Sequence, residues 1–512
     1  MARYLLGLDN GNTVCKAALF DLNGREIHAT SRRIDTLHTR PGWTERDMDT
    51  VWQETATVIR DLIAGSGIRP DEIAGVGCTG HGNGLYLLDK TGQPLRNGIQ
   101  SLDTRAASLL DEWIADDMPA RAYPHIWQNF YAGQAPLLLA WLKRHEPDTY
   151  ARIGTVLLCK DYINYCLTGE RATDYSDMGT TALLRVPEKT WSPELLDLYG
   201  IAEIADALPR LAHSAEVTGT VTAQAAEATG LAVGTPVVAG MIDIDAGAIG
   251  VGVNRAGQAC VIVGSWSINE VIADEPVVSR DLFLTAPFAD PDRWLIVEAS
   301  TAGAANLDWF VSQFCAEEQR EADSRGLSVF DVCGERVNSI PITDSVPVFH
   351  PFLYGSNVQA TARAGFYGLV GWHTRAHVLR ALYEGVVFSH LTHIERLRQA
   401  GAQFNVVRLT GGGARSAVWS QMFADVLNVP VEVTDCFESG TRGAALAAGI
   451  GAGIYASYAE AGEQSVIIEH VYQPNAARHA IYQGRYDHYR EIETAMRTPW
   501  RKLNQSEEKD RS

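Results

Sequence analysis

Gly240–Gly252 reads GMIDIDAGAIGVG. It follows Thr235–Ala239 (TPVVA), a short apolar run with the pattern of a buried strand. Two carboxylates, Asp243 and Asp245, fall in a glycine-flanked turn. Small residues then continue as the start of a close-packed helix. Open α/β sheets bind ligands at the carboxyl ends of their strands, so an acid turn there is a candidate for chemistry. The competing reading is a surface turn in which one Asp caps a helix. The rest of the chain decides between them.

A length of 512 residues exceeds one ordinary core. Two or three domains of about 150–250 residues are expected. Hydrophobic residues at 46% and charged residues at 21% suit a soluble globular protein. The net charge of −19 excludes attraction to nucleic acid or an anionic membrane through the bulk field. No apolar run reaches the roughly 20 residues of a membrane span. The N-terminus, MARYLLGLDNG, lacks the layout of a signal peptide. Eight Cys without a C-x-x-C pair read as buried reduced thiols, so the expected location is cytoplasmic.

Leu5–Asp9 is a short apolar run ending at an acid. Asn10-Gly11-Asn12-Thr13 is a turn signal, and Val14–Asp21 returns as a strand. A dinucleotide-binding fingerprint needs a helix after its glycine turn. A glycine turn in a hairpin can still offer N–H groups to phosphate, with Lys16 as a cation or as a solvated side chain. Met48–Ala64 carries Met48, Val51, Trp52, Thr55, Ile59, Leu62 and Ile63 at helical spacing. After a strand at Ile73–Thr79 comes Gly80-His81-Gly82-Asn83-Gly84. His81 and Asn83 can hydrogen-bond a polyhydroxylated ligand, or the loop is a hairpin with incidental polar residues. Asp103 and Arg105 read equally as ligand contacts or as a local ion pair.

The second half repeats this grammar. Gln258–Gly264 is a strand ending in Gly264-Ser265, and Trp294–Ser300 another, followed by Ala302-Gly303-Ala304. Ala376–Ala400 reads as a long helix stopped by Gly401. His390 and His393 lie one turn apart on it without a third ligand, so they read as helix-face histidines. Val406–Thr410 leads directly into Gly411-Gly412-Gly413, with Ser416 as N-cap of the next helix. Glycines between strand and helix let a backbone approach a nucleotide and aim helix N–H groups at phosphate. Glu438–Gly443 opens an Ala-rich helix.

Phosphate-type glycine turns, a polar loop and a central acid suggest phosphoryl transfer to an alcohol. There is no P-loop motif and no protein-kinase motif set. The sequence resembles the FGGY carbohydrate kinases over almost its whole length. Cys159–Ser176 (CKDYINYCLTGERATDYS) looks like that family's KDY…LTG…TDYS passage. Leu208–Gly240, Ala364–Glu384 and Leu409–Ala424 (LTGGGARSAVWSQMFA) resemble three further motifs.

The resemblance implies an α/β fold of two actin-like ATPase (ribonuclease H-like) domains flanking a central cleft. The expected division is 1–247, with the sugar site and catalytic Asp, 248–490, with the ATP site, and 491–512, a polar tail that is expected to lack fixed structure from Arg497 on. It implies Asp243 as the base that accepts the proton of the attacking hydroxyl. It places Asp9, Gly11, Asn12, Thr13 and Lys16 in a first phosphate loop and Gly264 and Ser265 in a second. Gly303, Gly411, Gly412 and Ser416 would line the nucleotide site, and His81, Asn83, Asp103 and Arg105 the sugar site. ATP and Mg2+ are the implied cofactors, with Asp9 the protein's partner for the ion. Leu138 stands where the first signature has Lys, and Ser265-Trp266 replace Thr-Ser. Gly82-Asn83 replaces the Met-His pair of D-xylulose kinases. The pattern GHGNGLYLLD is nearer the L-xylulose (3-keto-L-gulonate) and erythritol kinase branch. An L-xylulose-like ketose is thus the expected substrate, with a polyol kinase of erythritol or glycerol type as one alternative. A non-metabolic actin-like ATPase is the alternative from another class, and a homodimer is a candidate assembly. Asp245 is left as a cap or support of the small-residue helix.

Overall fold

The computed structural model describes residues 3–356, 361–436 and 438–511. By contacts the chain forms two units. The first comprises the chain through Ala256, Ile272–Ile296 and Glu438–Val466, and the second the remainder. They interleave along the sequence. The cause is a late helix, Ser439–Gly451, that packs into the first unit.

The first unit is built on one sheet. Its strand order is Val217–Thr220, Pro236–Val238, Ile73–Gly80, Tyr4–Asn10, Val14–Asp21, Glu26–Arg33. The last three form the expected antiparallel meander, while Tyr4–Asn10 and Ile73–Gly80 run parallel. Met241–Ile242 also pairs parallel with Ile73–Gly80. Asp9 stands beside Thr79, and Thr79 beside Met241, so three parallel strands end at one level. The helix Met48–Ser66 covers one face through Val51, Val58, Ile59 and Leu62, and stops at Gly67, whose φ is +69°. Gly65 stays within the helix.

Ser439–Gly451 comes close to the sheet because glycines remove the side chains between them. A Cβ on Gly7 would stand 1.8 Å from the Thr441 carbonyl oxygen, and one on Gly77 1.9 Å from that of Ala444. The helix Asp243–Gly250 meets the same helix equally tightly. A second cluster, around Leu87, Leu138, Trp141 and Tyr199, gives the unit a further core.

In the second unit the strands follow the order Trp294–Ser300, Ser267–Ala273, Gly257–Val263, Phe404–Thr410, Val431–Thr434, Ile468–Tyr472. Gly257–Val263 forms a hairpin with Ser267–Ala273 and runs parallel to Phe404–Thr410, the same local scheme as in the first unit. The helix Arg375–Ala400 is buried along most of its length and ends at Gly401, φ +107°. His390 Nδ1 lies 2.8 Å from Asn269 Oδ1. His393 lies between Glu298 and Ser300 at 2.8 and 3.0 Å. Both are hydrogen-bonded interior histidines. Residues 497–511, expected to lack fixed structure, are helical within Ala476–Arg511. Trp500 explains the difference: it is buried edge-on against His350 and Phe352. The eight cysteines are free, and all but Cys166 are buried. Among the described residues no helix is long and apolar enough to cross a membrane.

Candidate active site

Asp243 is the first residue of its helix and follows Ile242, which is extended. It therefore sits just past the carboxyl end of a parallel strand. Its side chain is partly exposed. Burial of its surroundings, and then the charge of Asp9, push the carboxyl up to about 7. Asp9 is itself raised to about 6 by burial, with Lys16 opposing and Glu438 adding to the rise. One Asp9 oxygen, Oδ1, is enclosed without a hydrogen-bond partner. The second, Oδ2, would be 2.9 Å from a Cβ on Gly440, so glycine keeps the space before this carboxylate open.

The folded-state affinity of Asp243 predicts a stability effect. An unfolded Asp titrates near about 3.9. The ionised carboxyl therefore opposes folding: the cost is absent below about pH 4, grows with pH and is complete above about pH 7. Asp243→Asn is expected to raise Tm at pH 8 in metal-free buffer and to lose that advantage near pH 4. A Tm difference independent of pH would contradict this environment.

The first turn is tightly wired. Gly11 N–H donates to Val14 O at 3.1 Å, and Ile34 N–H to Thr13 O at 2.9 Å. Arg46 donates to Gly11 O at 3.0 Å. Asn12 donates to Ser101 Oγ at 3.2 Å, and its carbonyl accepts from Gln100 at 2.8 Å. Lys16, across the strand pair from Asp9, forms an ion pair with Glu438 at 2.7 Å. It is neither a free cation nor merely solvated.

The loop after Ile73–Gly80 turns inward. His81 is 2% exposed, with Nε2 3.1 Å from the Tyr86 hydroxyl and Nδ1 3.3 Å from Gly82 O. Burial, with Arg46 adding, pushes the imidazole down to about 3, so it is neutral. Asn83 adopts φ +60° and donates to Thr180 O at 3.3 Å, leaving its enclosed Oδ1 without a partner. Gly82 lies against Ile242, and a Cβ there would stand 3.4 Å from Asp177 Oδ1. Tyr131, whose phenol is raised by burial and then by the charges of Asp243 and Asp177, belongs to the same neighbourhood.

Asp103 and Arg105 form an ion pair, the second of their two sequence readings. Arg105 Nε and Nη2 reach Asp103 at 2.8 and 2.9 Å, and Nη2 also reaches Glu45 at 2.7 Å. The guanidinium stacks 4.0 Å from the Trp43 ring centre, and both charged side chains are fully enclosed. Most of their hydrogen-bonding capacity goes to each other, to Glu45 and to Thr44, whose N–H donates to Asp103 Oδ2 at 2.7 Å, while Arg105 Nη1 is enclosed without a partner. Arg105→Lys loses the fork and is expected to lower stability by about 1–3 kcal/mol in a denaturant titration. The KM for sugar should stay within about threefold; a large KM change at unaltered stability would restore the ligand role.

In the second unit Gly264, Gly303 and Gly411 converge. Ala304 N–H donates to Gly264 O at 2.7 Å. A Cβ on Gly303 would be 2.5 Å from Gly264 O, and one on Gly411 2.8 Å from Val263 O. Gly411 has φ +84°, which favours glycine. Ser265 follows in the same turn. Gly412 faces open space where a side chain would stand, and opens the turn Gly412–Arg415. Ser416 caps the helix Ala417–Leu427 by accepting from Trp419 N–H at 3.3 Å. Backbone brought to the ends of two parallel strands beside a helix N-terminus can offer its N–H groups to a phosphate.

Tyr131 and Asp177 were missed by sequence reasoning. The run Asp174–Asp177 gave a usable signal, being four polar residues directly after a strand. Tyr131 gave none.

Residues 4–250 match the N-terminal domain of the FGGY family of carbohydrate kinases, and 259–452 its C-terminal domain. The chain belongs to the FGGY carbohydrate kinases. It is 38% identical to the L-xylulose/3-keto-L-gulonate kinase of Escherichia coli K12 over 97% of this chain and 98% of that one. It is 37% identical to the probable L-xylulose kinase of Pasteurella multocida, over 96% and 99%. The solved xylulose kinase of Rhodospirillum rubrum superposes with a TM-score of 0.87 at 27% identity, covering 98% and 100%. The fold is thus the two-domain actin-like fold of FGGY kinases. The protein is a carbohydrate kinase, a phosphotransferase with an alcohol acceptor, of a family that uses ATP.

Proposed function

We propose that this kinase transfers the γ-phosphoryl of ATP to a terminal hydroxyl of an L-xylulose-like ketose. Its near full-length likeness to the two L-xylulose kinases carries the substrate class. Asp243 accepts the proton of the attacking hydroxyl. Its raised affinity suits the task, because a base near the working pH both exists ionised and holds a proton well. The Gly80–Gly84 loop, with Asn83 Oδ1 still lacking a donor, supports recognition of sugar hydroxyls. The N–H groups around Gly264, Gly303 and Gly411, with Gly412 and Ser416 beside them, receive the nucleotide, and Gly11–Thr13 lies at the other phosphate loop.

Magnesium, when bound, offsets charge on the ATP phosphates. Asp9 fits it: the carboxylate is enclosed, has one oxygen without a hydrogen-bond partner, and is kept accessible by Gly440. The free thiols agree with the cytoplasmic location expected from sequence.

ADP release measured across L-xylulose, D-xylulose, 3-keto-L-gulonate, erythritol and glycerol tests this reading. The highest kcat/KM is expected on L-xylulose or its keto-acid analogue. Preference for erythritol or glycerol would make it a polyol kinase. ATP hydrolysis indifferent to every sugar would return the non-metabolic ATPase.

A further inference from the structure

The Cys159–Ser176 passage lies behind the strand that ends at Asp243. Its helix Cys159–Thr168 carries Lys160 into the interior, where the ammonium meets Asp161 at 2.5 Å and Asp174 at 2.9 Å. Asp174 also accepts from the hydroxyls of Ser176 and Ser214, at 2.6 and 2.8 Å. A carboxylate only accepts, so the Ser176 proton points at Asp174. That leaves the Ser176 oxygen to accept, and it does so from Ile242 N–H at 3.3 Å. On the other side of the same peptide group, the Thr79 hydroxyl donates to Met241 O at 2.8 Å.

Both polar atoms of the Met241–Ile242 peptide are therefore held by hydroxyl side chains, one residue before Asp243. Ser176 and Asp174 are buried, as is Thr79. The Ser176 bond is backed by a charged pair, which makes it stronger and more directional than a neutral one.

We infer that Ser176 and Thr79 are positioning residues for Asp243, with Lys160–Asp174 orienting Ser176. They clamp the peptide that launches the helix and so fix where its first carboxylate stands. A displacement of about 1 Å in a reacting group can cost about a hundredfold in rate. This inference rests on the reading of Asp243 as the base.

Four variants test it: Ser176→Ala, Thr79→Val, Thr79→Ser and Ser214→Ala. Ser176→Ala and Thr79→Val are each expected to lower kcat about tenfold or more, with KM for sugar and for ATP within about threefold. Thr79→Ser keeps the hydroxyl and should restore kcat. Ser214→Ala removes a bond to the same Asp174 without touching Ile242, and should cost stability while leaving kcat within about threefold. Equal kcat losses in Ser214→Ala and Ser176→Ala would overturn the clamp, as would native kcat in both hydroxyl-deleted variants. If Ser176→Ala does not fold, the Thr79 pair decides alone. Asp243→Asn, assayed alongside, separates the two claims. If it keeps turnover, the base reading fails and the clamp with it. If it is inactive while Ser176→Ala and Thr79→Val are normal, the clamp alone fails.

Discussion

Asp243→Asn is expected to lower kcat by about 10²–10⁴, the range that general-base catalysis supplies. Sugar affinity, measured by calorimetry without ATP, should stay within about tenfold. The substitution keeps size and hydrogen-bonding shape, so the peptide clamp and the helix start survive. A variant with near-native turnover would remove Asp243 from the base role. The nearby Asp9 would not replace it, because the proposal gives that carboxylate to the metal and phosphates.

Lys160→Met is expected to be the most destabilising of the substitutions considered. Burial alone would push the Lys160 ammonium down, but Asp161, Asp174 and Asp177 outweigh it and hold the group firmly charged. Asp177 Oδ2 lies 3.7 Å away, and all four side chains are fully enclosed. Removing the one cation leaves buried carboxylates uncompensated, at a cost of about 3–5 kcal/mol. The pH dependence has a definite sign. Asp161 and Asp177 are raised by burial, with Lys160 opposing the rise. Without the ammonium their folded affinities climb further, so stability falls as pH rises through them. The deficit should therefore be larger at pH 8 than at pH 5. A loss below about 1 kcal/mol would mean that the cluster is hydrated and weak.

Local pattern carried much of the fold. Apolar runs ending at acids or glycines located Tyr4–Asn10, Ile73–Gly80 and Phe404–Thr410. Cap chemistry located Ser416 and Gly401. These elements are specified by neighbours within a turn or two of sequence. The site was legible where a strand end itself carries the residue, as at Asp9 and Asp243. It was not legible where pairing spans the chain. Lys16 looked free because Glu438 lies 422 residues away. Arg105 looked available because Glu45 lies 60 residues before it. The Lys160 passage resembled a family motif, but its hold on Ile242 depends on a contact across 66 residues. The end of the terminal helix was hidden by its polarity, since past the buried Tyr482, Tyr486 and Tyr489 the segment is largely hydrophilic around Trp500.

The return of Ser439–Gly451 to the first unit bears on how the protein is made. During synthesis the strands bearing Gly7 and Gly77 emerge well before Ser439–Gly451, the helix that covers them. Until then those strands lack the helix that packs against their glycines. Such delayed, long-range closure is slow and leaves a nascent chain open to misassociation. The first unit is therefore completed after translation of most of the second, and the glycines that permit its close packing also tie its folding to a segment far along the chain.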